Sequence, residues 1–257
     1  MQTIHFLGKV LPGSYNVTLE GLPKSHYTSP EFGLDVDIYL NIKNSSLDAE
    51  CTMDCFDKEK FGHIYKIAFD LARASVNLLS FASGISLTVV FDKFVAPDGV
   101  SSPFAIVNTD LEKLCTAFSL KSTGPDSNMV RITHLLFKEP PLFMALDDLI
   151  SGTTVHHQSS ASCARAVEGL MNLIATPDMP RKKAWAKFRE SLRIDENYIL
   201  LITDYSKAAR HGNREYVPGP IAGEIVRRAW AIMNRFFEFR MRGNQPLPIT
   251  EFPVLVP

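Results

Sequence analysis

The sequence predicts an α+β protein in two parts, an N-terminal mixed sheet with one long packing helix followed by an all-helical bundle. Three observations carry this. Apolar residues alternate with polar ones through most of the chain up to Phe91, one long segment of helical spacing interrupts them at 57–83, and after Pro140-Pro141 only helical spacing remains. The sequence thus divides into an α+β module at 1–140 and a helical part at 141–257. With 257 residues and 46% hydrophobic composition, the chain has the material for a sizeable core.

The elements follow in order. Residues 4–10 and 15–19 are short strand candidates, punctuated by Pro12-Gly13 and Pro23. Leu34–Lys43 places an apolar residue at every second position, and 47–55 repeats this through Ala49, Cys51 and Met53. Asn44-Ser45-Ser46 between them predicts an antiparallel hairpin. Asp57 is a candidate N-cap for the long helix, which carries Phe61, Ile64, Ala68, Leu71, Ala72 and Leu78 at helical spacing and stops at Gly84. Strands are expected again at 85–91, 105–107 and 130–138, with a turn at Pro97-Asp98-Gly99. Helices are then expected at 142–151, 160–175, 181–192, 196–211 and 220–242, joined by connections short enough for antiparallel neighbours. The tail from Gly243, with prolines at 246, 248, 253 and 257, predicts an extended surface segment.

Charge and motifs narrow the function. Residues 1–157 hold 12 Lys+Arg against 18 Asp+Glu (−6), and residues 158–257 hold 15 against 10 (+5), so only the C-terminal part favours a polyanion. The start of the chain lacks a basic segment followed by an apolar one, and no apolar run is long enough to cross a bilayer, which together with four cysteines predicts a soluble, cytoplasmic protein. No Gly-rich phosphate loop, HExxH, GxSxG or Cys-x-x-Cys occurs, so no cofactor is expected. Nor is a metal: His156-His157 has no accompanying ligands, and Cys51 and Cys55 read as small core residues.

The stretch richest in chemistry is Lys207-Ala208-Ala209-Arg210-His211-Gly212-Asn213-Arg214, at the expected end of a helix. This helix, from Ile202-Thr203-Asp204-Tyr205-Ser206-Lys207 to His211-Gly212, and the helix opening Ser162-Cys163-Ala164-Arg165-Ala166-Val167-Glu168-Gly169 resemble parts of the HEPN superfamily. These are small helical modules of abortive-infection, toxin and RNA-processing proteins. The resemblance covers about 158–242 and implies binding of RNA or a nucleotide, a homodimer through the bundle, a role in bacterial defence and, in active members, metal-independent endoribonuclease chemistry.

On that reading His211 moves a proton, Lys207 and Arg210 hold the scissile phosphate, and Arg214, Arg165, Glu168 and Tyr205 contribute to substrate binding. Active members carry an Arg four to six residues before the His. Here positions 204–207 are Asp204, Tyr205, Ser206 and Lys207, so only an ammonium stands one turn away, without the guanidinium's two-pronged grip.

Bland alternatives stand beside each of these. Cations in a last helical turn complement the helix dipole, and Arg165 and Glu168, three apart, can pair with each other. Arg181-Lys182-Lys183, with Lys187, Arg189, Trp185 and Phe188, suits a nucleic-acid surface or a solvated helix face over buried aromatics. Two function classes therefore remain. One is a HEPN-like RNA- or nucleotide-binding protein with ribonuclease chemistry. The other is a non-catalytic dimeric scaffold whose N-terminal module recognises a partner.

Overall fold

A computed structural model of the chain describes residues 1–104, 109–117, 124, 127–155, 158–210 and 217–257, with backbone only at 109 and 208–210. Two compact units emerge, Met1–Val107 and Asn108–Pro257. The sheet-then-bundle order of the α+β class holds, but the divide falls at 107/108 instead of 140 because the segment expected as a strand at 130–138 is a helix of the second unit.

The first unit contains β1 (Gln2–Leu11), β2 (Ser25–Ser29), β3 (Leu34–Lys43), β4 (Ser46–Met53), α1 (Phe61–Ser83), β5 (Thr88–Val95) and β6 (Ser101–Pro103). The six strands form one sheet in the order β2-β3-β4-β1-β5-β6. Every pairing is antiparallel, so the sheet is not mixed. The expected hairpin joins β3 to β4 through Asn44 and Ser45, whose φ values of 51° and 61° match the twist of the strands they connect.

Residues 15–19 do not form a strand. Leu19 makes one bridge to Ile42, and Ser45 ties the loop to the hairpin turn by accepting from the Val17 amide at 2.9 Å and donating to the Tyr15 carbonyl at 2.8 Å. β1 bulges between Leu7 and Gly8, where a Cβ would lie 1.9 Å from the Val90 carbonyl oxygen, so only glycine fits against β5. The expected strand at 105–107 lies outside the described residues.

Alternation sets the two faces of the sheet. Ile4, Phe6, Val36, Ile38, Ile42, Leu47, Ala49 and Cys51 are buried. α1 packs on them through Ile64, Ala68, Ala72 and Val76, spaced one turn apart. Phe6 sits at the middle of an aromatic cluster with Phe61, Tyr65, Phe91, Phe94 and Phe104, centroids 5.5–5.8 Å away. Asp57 caps the 3-10 turn Lys58–Lys60 that opens the helix, and Gly84 ends it at φ 70°. Leu78 faces outward at 70% exposure, contrary to its expected place on the packing face. Cys55 falls beyond the end of β4 and is exposed, so only Cys51 of that pair is a core residue.

The second unit contains α2 (Thr109–Leu114), α3 (Asn128–Lys138), α4 (Pro140–Thr154), α5 (Ser159–Ile174), α6 (Arg181–Leu192), α7 (Glu196–Arg210) and α8 (Gly219–Met241). α3 replaces the expected strand because Ser127 caps it, accepting from the Val130 amide at 3.3 Å, while Ile132, Leu135 and Leu136 face the core. α5 is central and packs against α4, α6, α7 and α8.

Its approach to α4 is close because small residues line the seam. A Cβ on Gly152 would stand 3.1 Å from Cys163 Sγ, and one on Gly169 would stand 3.2 Å from the Ala145 Cβ. The tail runs over the bundle as expected, yet it is not merely superficial: Leu247 is fully buried, and Leu255 pairs with the α6–α7 loop through Leu255 N to Arg193 O and Asp195 N to Leu255 O, both 2.9 Å. Among the described residues no helix is long and apolar enough to cross a membrane.

Candidate functional site

Three of the described candidates on α5 and α7, Arg165, Glu168 and Lys207, pair with residues outside the expected set. Arg165 Nε and Nη2 donate to Asp148 Oδ1 of α4 at 3.0 and 2.6 Å, and that carboxylate raises the arginine's pKa. Glu168 accepts from Arg181 Nη2 of α6 at 3.1 Å. The expected pairing of Arg165 with Glu168 therefore gives way to links that pin α5 to α4 and α6. Lys207 Nζ donates to Asp204 Oδ1 at 2.7 Å within α7, on an exposed surface, and Tyr205 is exposed beside it. His211, Arg214 and the side chain of Arg210 lie outside the described residues, as do His156 and His157.

Most described cations of the second unit are neutralised locally. On α8, Arg228, Arg235 and Arg240 point inward. Arg228 stacks over the Tyr198 ring at 4.8 Å, donates to Glu224 Oε1 at 2.7 Å and to the Tyr198 carbonyl at 3.2 Å. Glu224 also accepts two bonds from Arg227 at 2.6 and 2.7 Å, and these guanidinium contacts, Arg227 first, hold its carboxyl down at about 2. The Tyr198 hydroxyl is buried with no hydrogen-bond partner among the described residues, and burial raises its pKa.

Arg235 is 7% exposed and donates to three carbonyls, Leu192 at 2.9 Å, Arg193 at 2.8 Å and Pro253 at 2.6 Å; burial lowers its pKa. Asn234, next to it, accepts from the Thr116 and Ala117 amides at 2.8 and 2.9 Å. Arg240 pairs with Glu139 at the start of α4. Sequence reasoning missed this set, although Arg228 and Arg235 stand seven apart within the apolar face formed by Ala229, Ile232 and Phe236, a signal that was available.

The start of α6 is different. Pro180 precedes it without a side-chain cap, its first turn holds no acidic residue, and Arg181, Lys182 and Lys183 follow in succession. Arg181 meets Glu168, but Lys182 and Lys183 have no carboxylate within 4.0 Å among the described residues. Three positive charges at the positive end of a helix dipole oppose one another, and an anion bound there relieves the conflict. Beside this turn, a groove of about 350 Å³ opens between the end of α5 and the start of α6. Further along α6, Trp185 and Phe188 pack edge to face, centroids 5.7 Å apart, with Phe188 fully buried.

In the first unit, the sheet face opposite α1 is polar. His5 Nδ1 lies 3.0 Å from Asp48 Oδ1 across β1 and β4, His26 Nδ1 lies 2.9 Å from Asp37 Oδ1, and Lys24 Nζ lies 2.8 Å from Asp37 Oδ2. Lys24 and His26 lower the Asp37 pKa. Tyr39 is exposed opposite Glu50, which in turn lies opposite His5. Among the described residues no three His, Cys, Asp or Glu side chains converge as metal ligands.

Comparison with known families follows the same division. Residues 4–104 match the N-terminal domain, and residues 129–241 the C-terminal domain, of a domain of unknown function, DUF8168. The chain matches both DUF8168 domains, in order. The N-terminal match spans the sheet and α1, and the C-terminal match spans α3 to α8. No curated protein and no solved structure matches the chain.

Proposed function

We propose that this DUF8168 chain is a cytoplasmic RNA- or nucleotide-binding protein whose helical C-terminal domain, HEPN-like in character, is the binding unit. The observation that carries the reading is the cationic first turn of α6, where Lys182 and Lys183 stand without carboxylate partners among the described residues on a helix start with no side-chain cap. Positive charge left unneutralised beside free backbone amides is suited to phosphate. Elsewhere in the domain the described cations are largely committed to carboxylates or carbonyls, so this turn is the place where a polyanion gains most.

If the protein cuts RNA, His211 shuttles a proton at the 2′-hydroxyl or leaving oxygen, and Lys207, Arg210 and Arg214 hold the phosphate, with no metal in the step. The test is cleavage of a mixed set of labelled RNAs in EDTA, by the wild type and by His211→Ala. Cleavage that disappears in His211→Ala is the expected result for an active enzyme. RNA binding without cleavage leaves a binding protein.

A second reading, a non-catalytic dimeric scaffold, is favoured by two observations: Lys207 is drawn to Asp204, and the first unit offers an open polar sheet face for a partner. Absence of RNA binding by the folded chain would select it.

A further inference from the structure

We propose that the outward face of α1 is a self-association seam, on which a second copy of this chain lays its own α1 antiparallel. The inference is independent of the RNA reading and places the contact on the first unit instead of the helical bundle. α1 is apolar on two sides. Ile64, Ala68, Ala72 and Val76 are fully buried against the sheet, and a second stripe, Ile67, Leu71, Ala74, Leu78 and Phe81, runs along the side turned away from it. In this stripe Leu78 and Phe81 are 70% and 88% exposed, Ala74 is exposed, and Ile67 and Leu71 are half-buried. Its steps of four, three, four and three residues are the 3.5-residue period of a seam between two helices, which a helix covering a sheet does not need on its solvent side.

What the stripe fits is a copy of itself. Its order, large, large, small, large, large, reads the same from either end, as a contact between two identical surfaces about a two-fold axis requires. In the antiparallel register Leu71 covers Ala74 of the second copy and Leu78 covers Ile67. Phe81 then reaches the start of the opposing helix, where His63 stacks on Phe32 with centroids 4.1 Å apart. The polar flank agrees. Asp70 faces Asn77 of the second copy, an amide donor, and Arg73 of that copy lies within a turn of the same carboxylate. From the exposures, the stripe leaves about 400 Å² of apolar surface on each copy, the size of patch that marks an interaction site. Two copies with their polar flanks bury about 1,200 Å², the lower bound of specific interfaces, so a dimer of micromolar affinity is expected.

The experiment is sedimentation equilibrium of the full chain from about 1 to 100 µM, under reducing conditions so that no disulfide joins copies. The expected result is a monomer–dimer equilibrium within that range, weakened about tenfold or more by Leu78→Glu/Phe81→Glu. The melting temperature of the variant's monomer should not fall, because both side chains are exposed there. Asn77→Lys sets an ammonium opposite Asp70 of the second copy and should tighten the dimer about threefold at low salt, with the gain lost at high salt. A parallel pairing gives no such gain, since Asp70 then meets Ser75. Phe143→Glu/Met144→Glu, on exposed residues of α4, should leave the dimer intact. A chain that stays monomeric throughout, or a dimer that survives Leu78→Glu/Phe81→Glu, would overturn the seam. A dimer lost only in the α4 variant would overturn it in favour of a contact through the bundle, and one that ignores Asn77→Lys would overturn the antiparallel pairing.

Discussion

Glu224 shows how one side chain can organise a helix start. It accepts from both Arg227 and Arg228, and the second of these is 8% exposed and stacked on Tyr198. A carboxyl held at about 2, against an ordinary value of 4.5, binds its proton less readily in the folded chain than in the unfolded one. Its contribution is therefore complete above pH 4.5 and is lost as pH falls toward about 2. Urea unfolding at a series of pH values should show stability falling across that window in the wild type, with a shallower fall in Glu224→Gln. Equal slopes would mean that Glu224 is not the group linking acid to stability. The effect is modest, since the carboxylate is partly exposed and solvent screens it.

At the scale of elements, α8 acts as the spine to which α4, α7 and the tail are stitched. Arg235 is the strongest stitch, because its fork satisfies Leu192 and Arg193 at the end of α6 together with Pro253 in the tail. Arg235→Met keeps much of the bulk but takes the guanidinium from the Leu192 and Pro253 carbonyls and leaves the Arg193 carbonyl with the Leu255 amide alone, a cost of about 3 kcal/mol. The same change should speed hydrogen exchange at the Asp195 and Leu255 amides, which lie in the bridge between tail and loop. Unchanged exchange there would show that the tail is held by Leu247 and Phe252 instead.

Such stitching was only partly legible in the sequence. The span expected at 181–192 coincides with α6, and those at 160–175, 196–211 and 220–242 fall within a residue of α5, α7 and α8, because apolar positions at 3.6 spacing and flanking Pro or Gly coincide. α3 was hidden by Val130, Ile132, His134 and Leu136, which alternate as a strand does even though Ile132, Leu135 and Leu136 make a helical face. β2 had no pattern to read, since it pairs at the sheet edge with no buried residue. The partners of the candidate residues were not legible: nothing in linear spacing tells that Arg165 meets Asp148 or that Glu168 meets Arg181.

At the scale of the whole molecule, each unit has a core of its own, Ile4, Phe6 and their neighbours under α1 in one, and Cys163, Val167, Phe188 and Phe236 among the helices of the other. A six-stranded antiparallel sheet covered by a 23-residue helix has the strand number and the apolar face needed for independent stability. Residues 1–107 expressed alone should therefore unfold cooperatively in urea, and Phe6→Ala in that fragment should destabilise it by about 3–5 kcal/mol, because the ring is fully buried against five other aromatic rings and the cavity left cannot close. In the full chain, Phe188→Ala should lower the stability of the helical unit by a similar amount. A fragment that shows no cooperative transition would mean that the sheet depends on the second unit for its fold. The sheet could not then serve as a separately folding recognition module, and the scaffold reading would lose its premise.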